Sequence, residues 1–253
     1  MNVTFLGTGT SQGVPVIACN CEVCNSIDYK DKRLRSSILI EVDGLSIVID
    51  TGPDFRQQML RERVSRLDAV VYTHQHKDHT AGMDDIRSFN FIQKTDIPLY
   101  ARQDVFDQLR QEYEYVFAEH KYPGIPKVKE NVIAIDPFQV GQTQFIPIEV
   151  MHHKLSVLGF RINDFTYITD ANYISEEEKE KINGSRFLVL NALRKATHIS
   201  HFNLEEAIAL AQSLDVEMTY ITHISHGMGK HRDVAPALPD NVQLAYDGLK
   251  IQL

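Results

Sequence analysis

The chain has 253 residues, 43% of them hydrophobic, and a formal net charge of −8; this is enough apolar material for a sizeable core and is most simply one domain over residues 1–253. The negative balance speaks against nucleic acid as a partner, because such binding relies on many Lys and Arg contacts to phosphate, and it leaves room for a small anionic substrate. No apolar run reaches membrane length and no basic-then-apolar leader follows Met1, so a cytoplasmic protein with no membrane partner is expected.

Residues 2–7 form a first strand pattern, ending in the loop GTGTSQGVP. That loop lacks the later glycine and immediate helix of a phosphate cradle, and it is read as a tight structural turn. Cys19, Cys21 and Cys24 follow, and they are the chain's only cysteines. An odd number cannot pair off internally, whereas CxCxxC supplies three thiolates, one ligand short of a tetrahedral structural zinc. A distant His could complete the set. Residues 37–42 and 46–50 are apolar strands about the turn Asp43-Gly44. An amphipathic helix is expected over 54–63, with Phe55, Met59 and Leu60 on one face and Asp54 as its cap.

Residues 68–72 (DAVVY) read as a buried strand, and it runs straight into THQHKDH at 73–79. In extended backbone His74 and His76 point to the same side, and Asp78 and His79 follow as the chain turns. Three imidazoles and a carboxylate in so short a span suit zinc or a harder ion such as manganese, and packing does not require them. HxHxDH after a hydrophobic strand resembles the signature of the metallo-β-lactamase superfamily. The resemblance implies an α/β fold, a four-layer αββα sandwich, with a dinuclear hydrolytic site. It also implies that Asp50, at the end of its strand, orients the metal loop without binding an ion.

Downstream, a short helix is expected over 83–91, a strand over 97–101 and a helix over 103–114. The stretch 115–128 reads as irregular, and its His120 is given no role. Strands over 132–135 and 144–150 follow, the second leading into His152 and His153. Side chains alternate along a strand, so only one of these two need be a ligand; the superfamily resemblance aligns His152, with His153 as the alternative. Strands over 155–161 and 165–169 pair about Asn163-Asp164 and deliver Asp170, which TYITDAN matches to the superfamily's bridging carboxylate. Ser175 and Glu178 form a capping box. A strand over 186–190 and a helix over 203–214 flank a loop holding His198 and His201. The run after His201, HFNLEEA, resembles the segment where a phosphodiesterase branch places an acid histidine; His198 has no such support. The last strand, 218–222, leads into His223, which matches the final superfamily ligand, and His226, the natural fourth ligand for the three thiolates. Asp247 is read as structural, in a hairpin turn.

CxCxxC together with THISH looks like the phosphoribosyl 1,2-cyclic phosphate phosphodiesterase branch. That resemblance implies two divalent ions, manganese or zinc, and one structural zinc. His74, His76 and His152 would hold one ion, Asp78, His79 and His223 the other, with Asp170 between them and His201 as the proton donor. The expected substrate is a small, cyclic phosphodiester. Hydrolysis of a carboxyl ester, thioester or lactam, transfer-RNA 3′ processing, and a metal-binding module without turnover are the competing readings. A homodimer is compatible with the resemblance.

Overall fold

The computed structural model describes residues 1–119 and 122–253, so His120 lies outside the described residues. One sheet is built from β1 (Asn2–Gly7), β2 (Ser37–Val42), β3 (Leu45–Ile49), β4 (Ala69–Val71), β5 (Ile97–Ala101), β6 (Val128–Val132) and, from the far end of the chain, β14 (Lys250–Gln252), which pairs with β1. The second runs from β7 (Phe138–Val140) through β8 (Thr143–His152), β9 (Leu155–Ile162), β10 (Phe165–Tyr167), β11 (Phe187–Asn191) and β12 (Met218–Thr222) to β13 (Val242–Leu244).

Period-two alternation decides which residue enters which layer. Val3, Phe5, Ile38, Ile40, Ile47, Ile49 and Val71 of the first sheet face Phe145, Leu158, Phe160, Ile162 and Val189 of the second, forming the central core. The intervening Leu6, Leu39, Val48 and Val70 point outward, under helices α1 (Phe55–Glu62), α3 (Arg87–Gln93) and α4 (Gln103–Glu112). The short α2 (Lys77–Thr80) and α5 (Glu114–Phe117) lie along the same half of the chain. Beyond α6 (Glu176–Glu180), α7 (Leu204–Ser213) and α8 (His231–Val234) cover the outer face of the second sheet over Leu188, Leu190 and Ile221. The layers are therefore αββα. No helix among the described residues is long and apolar enough to cross a membrane.

Several local expectations change in the fold. The strand expected over 132–135 lies at Val128–Val132, because its register is set by parallel pairing with β5 and not by its own polar, edge-strand sequence. The first residues of the stretch read as irregular form α5. Leu60 is 63% exposed, while Gln58 takes the buried place on α1 beside Phe55 and Met59. Asp54 occupies the N-cap position, but its carboxylate accepts from Arg35 instead of capping. Ser175 accepts from Glu178 N, yet the Glu178 carboxylate turns to Glu149 N at 2.7 Å, so the box is half closed. Asp247 does not close a hairpin, because β13 and β14 belong to different sheets. It is half-buried, and its carboxylate accepts from Thr8 N, Thr8 Oγ1 and Leu34 N and so joins the first loop to the end of the chain.

Candidate metal centre

Separate strand ends deliver the candidate ligands to one place. Asp50, Asp170 and His223 each sit in the left-handed region, with φ of 64°, 55° and 56°, as the chain leaves β3, β10 and β12. Such backbone is costly for a residue with a side chain and is found where a site demands it. The metal loop leaves β4 and begins α2 with His76 at its N-cap position. Glycines let this loop lie against the end of β3. A Cβ on Gly52 would meet Asp78 O at 2.2 Å, and one on Gly82 would meet Gly52 O at 2.2 Å. Gly82 N also donates to Thr51 O, and Thr51 N to His79 O, both at 2.8 Å. Gly82→Ala is therefore expected to cost ~1–3 kcal/mol, a fall of several degrees in melting temperature read by thermal denaturation. An unchanged melting temperature would contradict this close packing.

Asp50 anchors the loop. It accepts from Thr73 N at 2.9 Å, Thr73 Oγ1 at 2.8 Å and His79 Nδ1 at 2.7 Å, which turns His79 Nε2 toward Asp170 Oδ2 at 3.1 Å and Asp78 Oδ2 at 3.3 Å. Asp78, His79, Asp170 and His223 present donor atoms all within 4.8 Å of one another, and so do His152, Asp170 and His201. Asp170 is common to both groups. His74 and His76 lie beside them, with ring centroids 4.6 Å apart and 6.1 and 5.2 Å from His152. His152 Nδ1 donates to Ser200 O at 2.7 Å, leaving Nε2 for the pocket. His153 is exposed in the β8–β9 turn, so the fold brings in His152 and not its neighbour.

The donor set fits cations. His74 Nε2, His79 Nε2 and His201 Nδ1 are buried without a hydrogen-bond partner, an expensive condition unless something positive completes them. Imidazoles whose other nitrogen is held by a carboxylate or carbonyl, as in His79 and His152, have the arrangement of metal-binding histidines. Burial opposes charge on His79, but Asp170, Asp78 and Asp50 outweigh it and hold its pKa well above the ordinary value. Burial likewise opposes ionisation of Asp170, yet His223 and His79 hold its carboxyl well below the usual range. Burial, with His79 adding to it, holds His74 neutral.

His201 Nδ1 is 3.8 Å from Asp170 Oδ1, and its ring lies 4.5 Å from that of His152 and 4.9 Å from that of His223. Burial, reinforced by His223, pushes its pKa down to about 3. His198, 5.3 Å from His201 between ring centroids, accepts at Nδ1 from Ser200 N.

These shifts set a pH dependence for the metal-free protein. His74, His76, His198, His201, His223 and His231 all have folded pKa values lowered by burial, to about 3 for His201 and about 4 for His231. The unfolded chain then binds more protons below the ordinary value of 6.5, and stability is lost as pH falls below it. His79 acts oppositely, its contribution being complete below 6.5 and lost as pH rises through its raised folded pKa. Six imidazoles against one predict a lower urea midpoint at pH 5 than at pH 7.

At the second cluster, Cys19, Cys21 and Cys24 Sγ lie 3.3, 3.5 and 3.5 Å from His226 Nδ1. A tetrahedral zinc with Zn–S of ~2.3 Å and Zn–N of ~2.0–2.1 Å needs a sulfur–nitrogen edge of about 3.5 Å. The loop supports its thiols with Cys24 N–H to Cys21 Sγ at 3.4 Å and Val16 N–H to Cys24 Sγ at 3.3 Å. The first of these lowers the Cys21 pKa to about 6.

Some of the pocket's supports escape a reading of the sequence. The loop read as a structural turn brings Thr10 Oγ1 to 3.2 Å from His223 Nε2, and Ser36 Oγ lies 3.2 Å from His223 Nδ1. The Asn191 side chain bonds both Ala171 N and Ala171 O at 2.8 and 2.9 Å, fixing the turn that carries Asp170. An isolated Thr, Ser or Asn carries no spacing signal; only the single letter before or after a strand end hints at it.

The β-lactamase superfamily domain model matches residues 46–224. An octanoyltransferase of Porphyromonas gingivalis is 40% identical over 253 residues, 99% of this chain and 51% of its own length. This chain spans about half the length of the curated relatives it matches. Among solved structures, a diphosphatase from the PhnP family is 38% identical with a TM-score of 0.93, covering 100% of this chain and 97% of that one. Zinc-bound PqqB from Methylobacterium extorquens, 19% identical with a TM-score of 0.83 and full coverage of both chains, shares the fold.

Proposed function

This chain belongs to the β-lactamase superfamily of metal-dependent hydrolases, and from that premise we propose that it hydrolyses a small, cyclic phosphodiester such as a phosphoribosyl 1,2-cyclic phosphate. The observation that carries the reading is the shared position of Asp170 between two donor groups, beside buried imidazole nitrogens with no other partner. Likeness to the PhnP-family diphosphatase supports phosphorus–oxygen chemistry.

In this reading His74, His76 and His152 would hold one divalent ion and Asp78, His79 and His223 the other, with the Asp170 carboxylate common to both donor groups. Zinc and manganese both suit the mixture of imidazole and carboxylate. When bound, the two ions supply an acidified water and positive charge against phosphoryl oxygens during in-line displacement. Asp50 keeps the His79 ring in its ligating tautomer, and Asp78 adds the negative charge that favours a doubly cationic site. His201 is the proton donor to the leaving alkoxide, worth ~10²–10⁴ in rate. Cys19, Cys21, Cys24 and His226 would hold a structural zinc, four protein donors leaving no position for substrate, and so tie the first loop to the segment after β12.

His201→Ala separates donor from ligand. Turnover is expected to fall ~10²–10⁴-fold with both active-site ions retained by elemental analysis; loss of an ion along with activity would make His201 a ligand, which its grouping with His152 and Asp170 also permits. The function itself is tested with purified protein and manganese on bis(p-nitrophenyl) phosphate, p-nitrophenyl phosphate and p-nitrophenyl octanoate, with transfer RNA as a further substrate. Diester-selective turnover supports the reading, and cyclic ribose phosphates are then assayed. Selective cleavage of the carboxyl ester or of transfer RNA would overturn it.

A further inference from the structure

The Asp50 carboxylate reaches two of the candidate ligands, one directly and one through a neighbour. Its Oδ1 accepts from Thr73 N at 2.9 Å, and its Oδ2 accepts from Thr73 Oγ1 at 2.8 Å and from His79 Nδ1 at 2.7 Å. The Thr73 hydroxyl in turn lies 2.9 Å from His74 Nδ1. Asp50, Thr73, His74 and His79 are all fully buried, so bulk water does not stand in for any of these partners.

A hydroxyl has one proton to donate, and an ionised carboxylate only accepts. The Thr73 proton is therefore directed at Asp50, and toward His74 the same oxygen is an acceptor. That places the His74 proton on Nδ1 and leaves the lone pair on Nε2, the atom that is buried without a hydrogen-bond partner. His79 reaches the same state without a relay, its Nδ1 donating to Asp50 and its Nε2 unpartnered. In the dinuclear reading, on which this inference rests, His74 serves one ion and His79 the other.

We propose that Thr73 is a positioning residue that carries the hold of Asp50 across to His74, so that a single buried carboxylate fixes the ligating tautomer and ring orientation of one histidine on each ion. A valine fills nearly the same volume without the hydroxyl. It would leave His74 Nδ1–H buried with no acceptor and the ring free to turn from its ligating position. Supports of this kind behind metal-binding histidines are worth ~10–100-fold in metal affinity.

Graded withdrawal of zinc from the fully loaded chain by a competing chelator tests this, with the ion at Cys19, Cys21, Cys24 and His226 as the internal reference. Thr73→Val should bind one active-site ion ~10–100-fold more weakly and the other as in the wild type. Thr73→Ser keeps the hydroxyl and should bind both as the wild type does. Asp50→Asn should weaken both, because an amide has one acceptor oxygen and cannot take Thr73 N–H on one side and Thr73 Oγ1–H with His79 Nδ1–H on the other. A Thr73→Val variant that holds both ions normally or loosens both alike, or a serine that fails to restore binding, would overturn the proposal. A wild type with a single active-site ion would overturn the dinuclear reading and the inference with it. Should the valine variant not fold, imidazole ¹⁵N spectra of the zinc-loaded wild type decide: a proton on Nδ1 and metal on Nε2 are expected for both His74 and His79, and metal on His74 Nδ1 would refute the relay.

Discussion

Asp170→Asn is expected to lower diester turnover ~10³-fold or more and to leave at most one ion in the active site. The substitution keeps the shape of the side chain, which accepts from Thr169 Oγ1 at 2.7 Å. What it removes is the charge shared by the two donor groups. His79 Nε2 and His223 Nδ1 stand 3.1 and 3.3 Å from Asp170 Oδ2, and a neutral amide there offers one acceptor where two cations need an anion. Without that carboxylate, the His79 pKa should also fall, because Asp170 is the largest influence raising it. Metal content by elemental analysis and turnover of bis(p-nitrophenyl) phosphate are the two readings. A variant that keeps both ions and its activity would remove Asp170 from the bridging position. One that keeps both ions but not activity would mean that Asp170 acts on the substrate or the attacking water.

Cys21→Ser should divide stability from chemistry. It is expected to remove one equivalent of zinc and several kcal/mol of stability, a drop of about ten degrees or more in melting temperature at ~2–4 °C per kcal/mol for a chain of this size. The whole value of a zinc-finger site is not at stake, because three buried clusters fold around the sheets without it. What is lost is the connection between the loop of Cys19–Cys24 and His226, which lies three residues past His223. The same join is made by hydrogen bonds, Ile224 N to Thr8 O at 2.9 Å and Thr10 N to Ile224 O at 3.2 Å, so turnover in the folded fraction should change less than stability. Loss of turnover at an unchanged melting temperature would show that the thiolates serve the reaction.

A buried Arg33 extends this strapping. It donates to Thr8 Oγ1 at 2.8 Å and Ala245 O at 2.6 Å, beside His231 Nδ1 at 3.4 Å. Desolvation lowers its pKa to about 10 against the pull of Asp247 and Asp31, so it stays charged at neutral pH. The first loop, the last strand of the second sheet and the return to the first sheet thus meet on one cation.

What the sequence by itself determined is local. HxHxDH places His74, His76, Asp78 and His79 within one turn of chain, and no other element is needed to recognise it. Strand alternation in SILIEV and the Asp43-Gly44 turn at φ of 50° and 75° depend on neighbours a few residues away, where backbone geometry alone sets the pattern. The remaining site residues were found through likeness to a family, since a single Asp or His after a strand has no spacing to distinguish it from a cap. Tertiary structure decided the rest. It chose His152 over His153 by the pleat of β8 and its turn into β9, moved the edge strand to Val128–Val132 through pairing with β5, and left Leu60 in solvent. It also brought Asp50, Asp170 and His223 together by ending three strands, from two sheets, at one edge of the sandwich. Those outcomes depend on how two twisted sheets pack across a common core, and the contacts that fix that packing join residues more than a hundred positions apart.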